Sequence, residues 1–276
     1  MNNTTILPTR RGAMLHNELK ALYASYEREL QRWIATYPRG VSCRKGCRTC
    51  CNMSVGLYVP EAVVLADWLT DAQYAAVARH AQRVLAYAAT TPDYQAGFRY
   101  ADLGWCPFLD ADTGACTIHA HRPANCRHVF SNMPPKYCAK GAELLLEHDA
   151  GEQAAFLAQL DPDVNADELP FMAPLHAIFY DQYELYLLML TARYFNVIVQ
   201  GEMSWLIVLA REHGLWNIAT QPGGTPDDFI RYARSTGLYH EHLLTNCQEI
   251  PPHLREAGAE IDFTQIPTGY SLWQHR

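Results

Sequence analysis

The sequence predicts a mainly α fold: a helical domain with a small irregular or β-hairpin element built around cysteines. Three observations point that way. Apolar residues recur at three- and four-residue steps along most of the chain. No alternating strand–helix series is found. Eight of the nine cysteines crowd between Cys43 and Cys138. The chain has 276 residues, 49% hydrophobic and 18% charged, enough for a buried core and outside the range of disordered, collagen-like or coiled-coil chains.

Residues 1–12 are expected to form a flexible tail. Leu15, Leu19, Leu22, Tyr26 and Leu30, then Trp33 and Ile34, mark an amphipathic helix from Ala13 to Tyr37, stopped by Pro38 and Gly40. Val41–Met53 carries the first cysteines and is too irregular for one element. Pro60-Glu61 opens a helix through Leu69, and Thr70 and Asp71 cap another that reaches about Ala89. The turn residues Asp110–Gly114 separate two short β-like runs and predict a hairpin over Trp105–His119. Arg122-Pro123 starts a short helix.

Helical pattern returns over Gly141–Leu160, Pro174–Val199 and Glu202–His213. After a break at Gln221-Pro-Gly-Gly, Thr225-Pro-Asp-Asp caps a helix to Ser235, and Cys247 is placed on a terminal helix. The chain thus divides into the tail, a cysteine-cluster region over 13–140 with flanking helices, and a helical region over 141–276 packed with it as one unit.

Charge narrows the partners. There are 22 basic and 29 acidic side chains, a net of −7. Residues 1–50 carry nine Lys/Arg against three Asp/Glu (+6), which leaves thirteen against twenty-six (−13) for the rest. An acidic chain is a poor phosphate neutraliser, so nucleic acid is not an expected partner. The first residues hold no apolar signal core, and no uninterrupted apolar run approaches the roughly 20 residues of a membrane helix. A cytoplasmic protein with no membrane partner is expected, acting on an unidentified protein or small molecule.

Grouped cysteines in a reducing compartment point to metal. The first group, Cys43-x3-Cys47-x2-Cys50-Cys51, can converge only if its loop wraps around a compact centre, and Gly46 permits the turn. Arg44, Lys45 and Arg48 lower the cost of gathering thiolates there. Adjacent side chains diverge, so Cys50 and Cys51 should not serve the same ion. Cys106, Cys116, Cys126 and Cys138 form the second group. His119, His121 and His128 lie among them and are read as ordinary hydrogen-bonded histidines. The candidate cofactor ligands are Cys43, Cys47, Cys50 and Cys126. The wider metal set adds Cys51, Cys106, Cys116 and Cys138.

These cysteines, with Cys106-Pro-Phe-Leu, Cys116-Thr-Ile-His and Arg122-Pro-x-x-Cys126-Arg127, resemble the CxxCxxCC family of zinc- or iron-chelating cysteine-cluster proteins over about residues 41–138. The resemblance implies chelation. A related motif occurs in flagellin lysine methylases, which implies iron–sulfur and S-adenosylmethionine chemistry. The dense first string with a remote fourth cysteine is closer to ferredoxin ligation than to paired zinc knuckles, so a [4Fe–4S] cluster is favoured over zinc. The x3/x2 spacing also occurs in radical S-adenosylmethionine enzymes, but no strand series supplies their barrel, and Cys51 departs from their pattern.

Three readings remain open: an iron–sulfur protein in a redox or group-transfer reaction, a zinc-stabilised non-catalytic interaction module, and a metal carrier or sensor. Elsewhere, His240-Glu-His242 reads as an exposed helix end, Asp227-Asp228 as first-turn charge, and Phe179, Tyr180, Tyr183 and Tyr186 as core.

Overall fold

The computed structural model describes residues 7, 9–36, 41, 43–90, 103–130, 150–160 and 182–266. Cys138, Phe179, Tyr180 and the predicted helical stretches over 141–149 and 174–181 lie outside them. The described part is mainly helical with one small antiparallel sheet.

Helix α1 (Thr9–Thr36) starts four residues before the predicted point, with Leu7 already buried. It buries Leu15, Leu19, Leu22, Tyr26 and Leu30, the stripe that its periodicity marks. Strand β1 (Gly56–Tyr58) runs straight into α2 (Val59–Trp68), and α3 (Asp71–Thr90) follows. Thr70 caps α3 by accepting the Gln73 N–H at 3.3 Å on its hydroxyl, while Gln73 Oε1 accepts back from the Thr70 N–H at 3.1 Å. The very short α4 (Ala124–Arg127) and then α5 (Ala150–Leu157) come next.

The second half holds α6 (Glu184–Tyr194), β2 (Val197–Glu202), α7 (Met203–Glu212), α8 (Leu215–Ala219), α9 (Pro226–Ser235), β3 (Leu244–Glu249) and α10 (Pro252–Glu260). The core lies where α7 packs on α2 and α3. Val59–Ala66 and Met203–Ala210 are buried at every position, as helices apolar on all sides require. The Arg193 guanidinium joins three elements: it pairs with Glu18 of α1 at 2.6 Å, donates to Gly258 O of α10 at 2.6 Å and covers the Phe263 ring.

The sheet has the order β1-β2-β3, all antiparallel, with Leu57 opposite Gly201 and Val199 opposite Cys247. It corrects the sequence reading in two places. The helix expected through Val199 ends at Tyr194, because three consecutive β-branched residues, Val197-Ile198-Val199, favour the pleated surface that β1 and β3 offer. Cys247 lies on β3 and not on a helix, since its backbone completes the ladder of β2. Gly201 is needed where the register shifts: a Cβ there would stand 2.6 Å from the Trp205 ring and 2.7 Å from Leu243 O.

The predicted hairpin over Trp105–His119 shrinks to one bridge, Leu109 with Cys116. Pro107 lacks an N–H, and the backbone at Gly104 and Trp105 is left-handed, so the first limb cannot extend. Thr225 and Asp228 do cap α9 reciprocally, with Asp228 accepting the Thr225 N–H at 3.1 Å. His240 precedes and His242 lies within a 3-10 turn, Glu241–Leu243, rather than at a helix end.

Candidate metal centre

The first cysteine string folds as two tight turns. The Cys47 N–H donates to Arg44 O at 2.9 Å around Gly46, whose φ is +87°, and the Cys51 N–H donates to Arg48 O at 2.9 Å. Cys50 and Cys51 both sit on the 3-10 turn Thr49–Asn52. The loop leans on the turn of the single-bridge hairpin. A Cβ on Gly114 would stand 2.8 Å from Gly46 O, so only glycine allows this approach. That turn is closed by Asp110, whose carboxylate accepts the Thr113 N–H and hydroxyl at 2.7 Å each, hydrogen bonds that hold its pKa below the usual carboxylate value.

Cys106 is tied to the first string through the backbone, its N–H donating to Cys51 O at 3.0 Å. Trp105 before it has φ +65°, a left-handed conformation that costs a non-glycine residue roughly 1–2 kcal/mol. Arg48 stacks over the Trp105 ring at 5.3 Å, a cation–π contact that helps to hold it there. Arg48 is thus engaged with an indole, away from the counter-ion role its position suggests.

Cys126 rides on α4, and α4 is anchored from outside. Its Ala124 N–H donates to Glu61 Oε1 at 2.7 Å, and Asn125 Nδ2 donates to Gly56 O at 2.6 Å. Arg127, 3% exposed, pairs with Glu27 of α1, donates to Arg122 O and Ala120 O, and stacks on the Tyr23 ring at 4.3 Å. Glu61 is 1% exposed and accepts from the Tyr23 hydroxyl, the Tyr58 N–H and the Ala124 N–H. Burial raises its pKa, against the pull of those donors and of Arg127.

These anchors gather Cys50, Cys106, Cys116 and Cys126. Every pair in that quartet interacts electrostatically, each thiolate raising the pKa of another. Burial is the largest cause for Cys106, Cys116 and Cys126; for Cys50 it is the hydrogen bond with Cys51, then burial. Both effects favour the thiol over the thiolate at all four. Arg122 acts in the opposite direction on Cys50, Cys116 and Cys126, and its buried Nε has no hydrogen-bond partner among the described residues. Among the described residues no three His, Cys, Asp or Glu side chains form a ready-made ion-holding group. The quartet is assembled in neighbourhood but not in ligating geometry, so an incoming metal must displace protons and draw the sulfurs in.

Residues 42–143 match the CxxCxxCC family model, described as "Putative zinc- or iron-chelating domain". The CxxCxxCC segment is just over a third of the chain, and it contains both cysteine groups. No curated protein and no solved structure matches the chain. The match carries metal chelation, by zinc or iron, and carries nothing that bears on flagellin lysine methylases.

Of the predicted site residues, Cys50, Cys106, Cys116 and Cys126 come together, and Cys51 touches Cys50. Cys43 and Cys47 stay on the adjoining loop, and all eight described cysteines are outside disulfides. Cys138 lies outside the described residues. His128 is buried, with its Nδ1 3.1 Å from Ala124 O. Sequence reasoning missed Glu61, Tyr23, Arg122 and Arg127 as supports. A signal existed for one of them: Glu61 is the only charge within Val59–Ala66, an otherwise apolar run. Among the described residues no helix is long and apolar enough to cross a membrane.

Proposed function

We propose that the chain is a metal-chelating protein whose resident group is a [4Fe–4S] cluster, held by Cys50, Cys106, Cys116 and Cys126 and used in a redox reaction. One observation carries the reading: four half-buried thiols from three separate segments lie together beside one guanidinium. The donor set fits in kind, since soft thiolates in a desolvated pocket are what iron–sulfur clusters take. When bound, the cluster would supply one-electron chemistry.

The chain's own residues do the rest. Arg122 offsets the charge of the thiolates it faces. The left-handed Trp105 aims Cys106, and the Glu61–Ala124 hydrogen bond sets the helix that carries Cys126. Cys51, in contact with Cys50, is the thiol placed to respond when Cys50 is occupied.

Anaerobic purification with absorption spectroscopy, iron and labile-sulfide analysis tests this. A brown protein carrying iron and sulfide is expected; a colourless one with stoichiometric zinc overturns the cluster assignment. Serine substitution of Cys106 or Cys116 should abolish the bound metal. Loss in Cys43→Ser and Cys47→Ser with retention in Cys106→Ser and Cys116→Ser would move the site to the first string.

A further inference from the structure

A cavity of about 530 Å³ opens against the back of the cysteine element, between α1, α2 and the segment that joins Cys116 to Cys126. Its size falls within the roughly 300–1,000 Å³ of small-molecule sites. Leu19 and Ala24 of α1, Val64, Leu65 and Trp68 of α2, and Ala120 give it an apolar wall. Trp68 is partly exposed and lies against the His121 ring, the centroids 3.8 Å apart. A wall of two helices with a tryptophan turned to solvent and an imidazole beside it is shaped to receive a flat apolar body.

The polar side of the cavity has a sign. Glu27 is neutralised by its ion pair with Arg127, and Glu61 is turned to the Tyr23 hydroxyl and the backbone of Tyr58 and Ala124. Lys20 lines the cavity as an exposed cation, with no ion pair among the described residues. His16, His119 and His121 line it too. His121 is pushed below its ordinary pKa by burial first and then by His16, Arg127 and Lys20; His119 is pushed down by burial and by Arg122. Lys20 is thus the exposed charge at the mouth, with the His121 imidazole beside it as a further polar group.

We propose that this cavity binds a small organic carboxylate with a flat apolar body, the body against Trp68, Leu65 and Leu19 and the carboxylate at Lys20 and His121. A single unpaired ammonium matches a single negative charge, which favours a carboxylate over a dianionic phosphate ester. The site shares a wall with the quartet, because Glu61 lines the cavity and also acts electrostatically on Cys126. The binding does not depend on which metal the quartet holds, so the two proposals can fail separately.

The test is calorimetric titration of the full-length protein, as isolated with its metal, with naphthoate, naphthamide and naphthyl phosphate. Naphthoate should bind with one-to-one stoichiometry, at least about tenfold more tightly than the neutral amide. Lys20→Glu, an exposed change, should weaken naphthoate by about tenfold or more and leave naphthamide unaltered. Leu65→Trp should fill the cavity and remove both, with its melting temperature compared to the parent to show that it folds. Equal binding of acid and amide, no binding of either at about millimolar concentration, or an unchanged affinity in Lys20→Glu overturns the site. Tighter binding of naphthyl phosphate than of naphthoate overturns the carboxylate class.

Discussion

From Val197 to Ala210 every residue except Gln200 is buried, whereas from Cys43 to Asn52 none is. The first stretch, β2 and α7, draws its stability from apolar contact and a complete strand ladder, which need nothing from outside the chain. The second has turns, one exposed cation–π stack and half-buried thiols. Its order comes from a few polar tethers, namely the Cys106–Cys51 backbone bond, the Glu61–Ala124 bond and the Arg127–Glu27 pair. A region built this way lacks its own core and gains most from a bound ion, since metal binding is then folding free energy.

Removing the metal is therefore the perturbation with the largest expected effect, and it should be local. Chelation, or Cys126→Ser, should open residues 43–53 and 103–121 to proteolysis while 197–210 stays protected. Equal protection of both regions before and after chelation would break the contrast. Glu61→Ala comes next, at about 3 kcal/mol, because it leaves the Ala124 and Tyr58 N–H groups and the Tyr23 hydroxyl without their acceptor. Guanidinium unfolding would measure that loss. A cost below about 1 kcal/mol would mean that the tethers do not hold the cysteine element.

His80 gives a pH test at the seam between the two regions. It is 0% exposed, its Nδ1 lies 3.2 Å from Ser204 Oγ, and burial, then the charge of Arg83, lowers its pKa to about 4. The unfolded chain takes this proton near pH 6.5 and the folded one refuses it until about 4. His80 therefore adds nothing to acid sensitivity above pH 6.5. Below it, stability falls as pH drops to 4, by about 3 kcal/mol in total. His80→Asn should flatten that part of the stability profile, and an unchanged slope would refute the assignment.

The smallest effect is expected at Cys247. Its thiol reaches Pro226 O at 3.8 Å, and burial lifts its pKa to about 11. Cys247→Ser should change stability by less than about 1 kcal/mol and leave metal content unchanged. Metal loss in that variant would tie β3 to the centre.

The same contrast explains what the sequence made legible. Local signals survived: the α1 stripe from Leu15 to Leu30 and the Thr225–Asp228 cap are decided within one or two turns of chain. Both strands of the second half were missed because their ladders are supplied by partners far away in sequence, and Cys247 alone gave no cue that Val199 would lie opposite it. The cysteine motif showed the chemistry of the site but not its grouping. Nothing in Cys43-x3-Cys47-x2-Cys50 indicates that Cys50 would face Cys106, Cys116 and Cys126, since that follows from where α4 is tethered. Glu61 was read as a helix-start residue and Arg122 as a helix start and part of the cysteine motif, neither as a support, because their partners come from other segments.

Helix α4 has four residues, far too few to hold its shape unaided. Among the described residues, the bonds that orient it end on α1, α2, β1 or the loop before it, and Tyr23, Glu27 and their helix lie outside the 42–143 match. The chelating element is consequently not a portable cassette. Transplanted into another protein, or shortened to its matched boundaries, it would leave behind the carboxylate that holds Arg127, and Cys126 with it would lose its aim. An engineer who wants this site elsewhere must graft the surface of α1 as well.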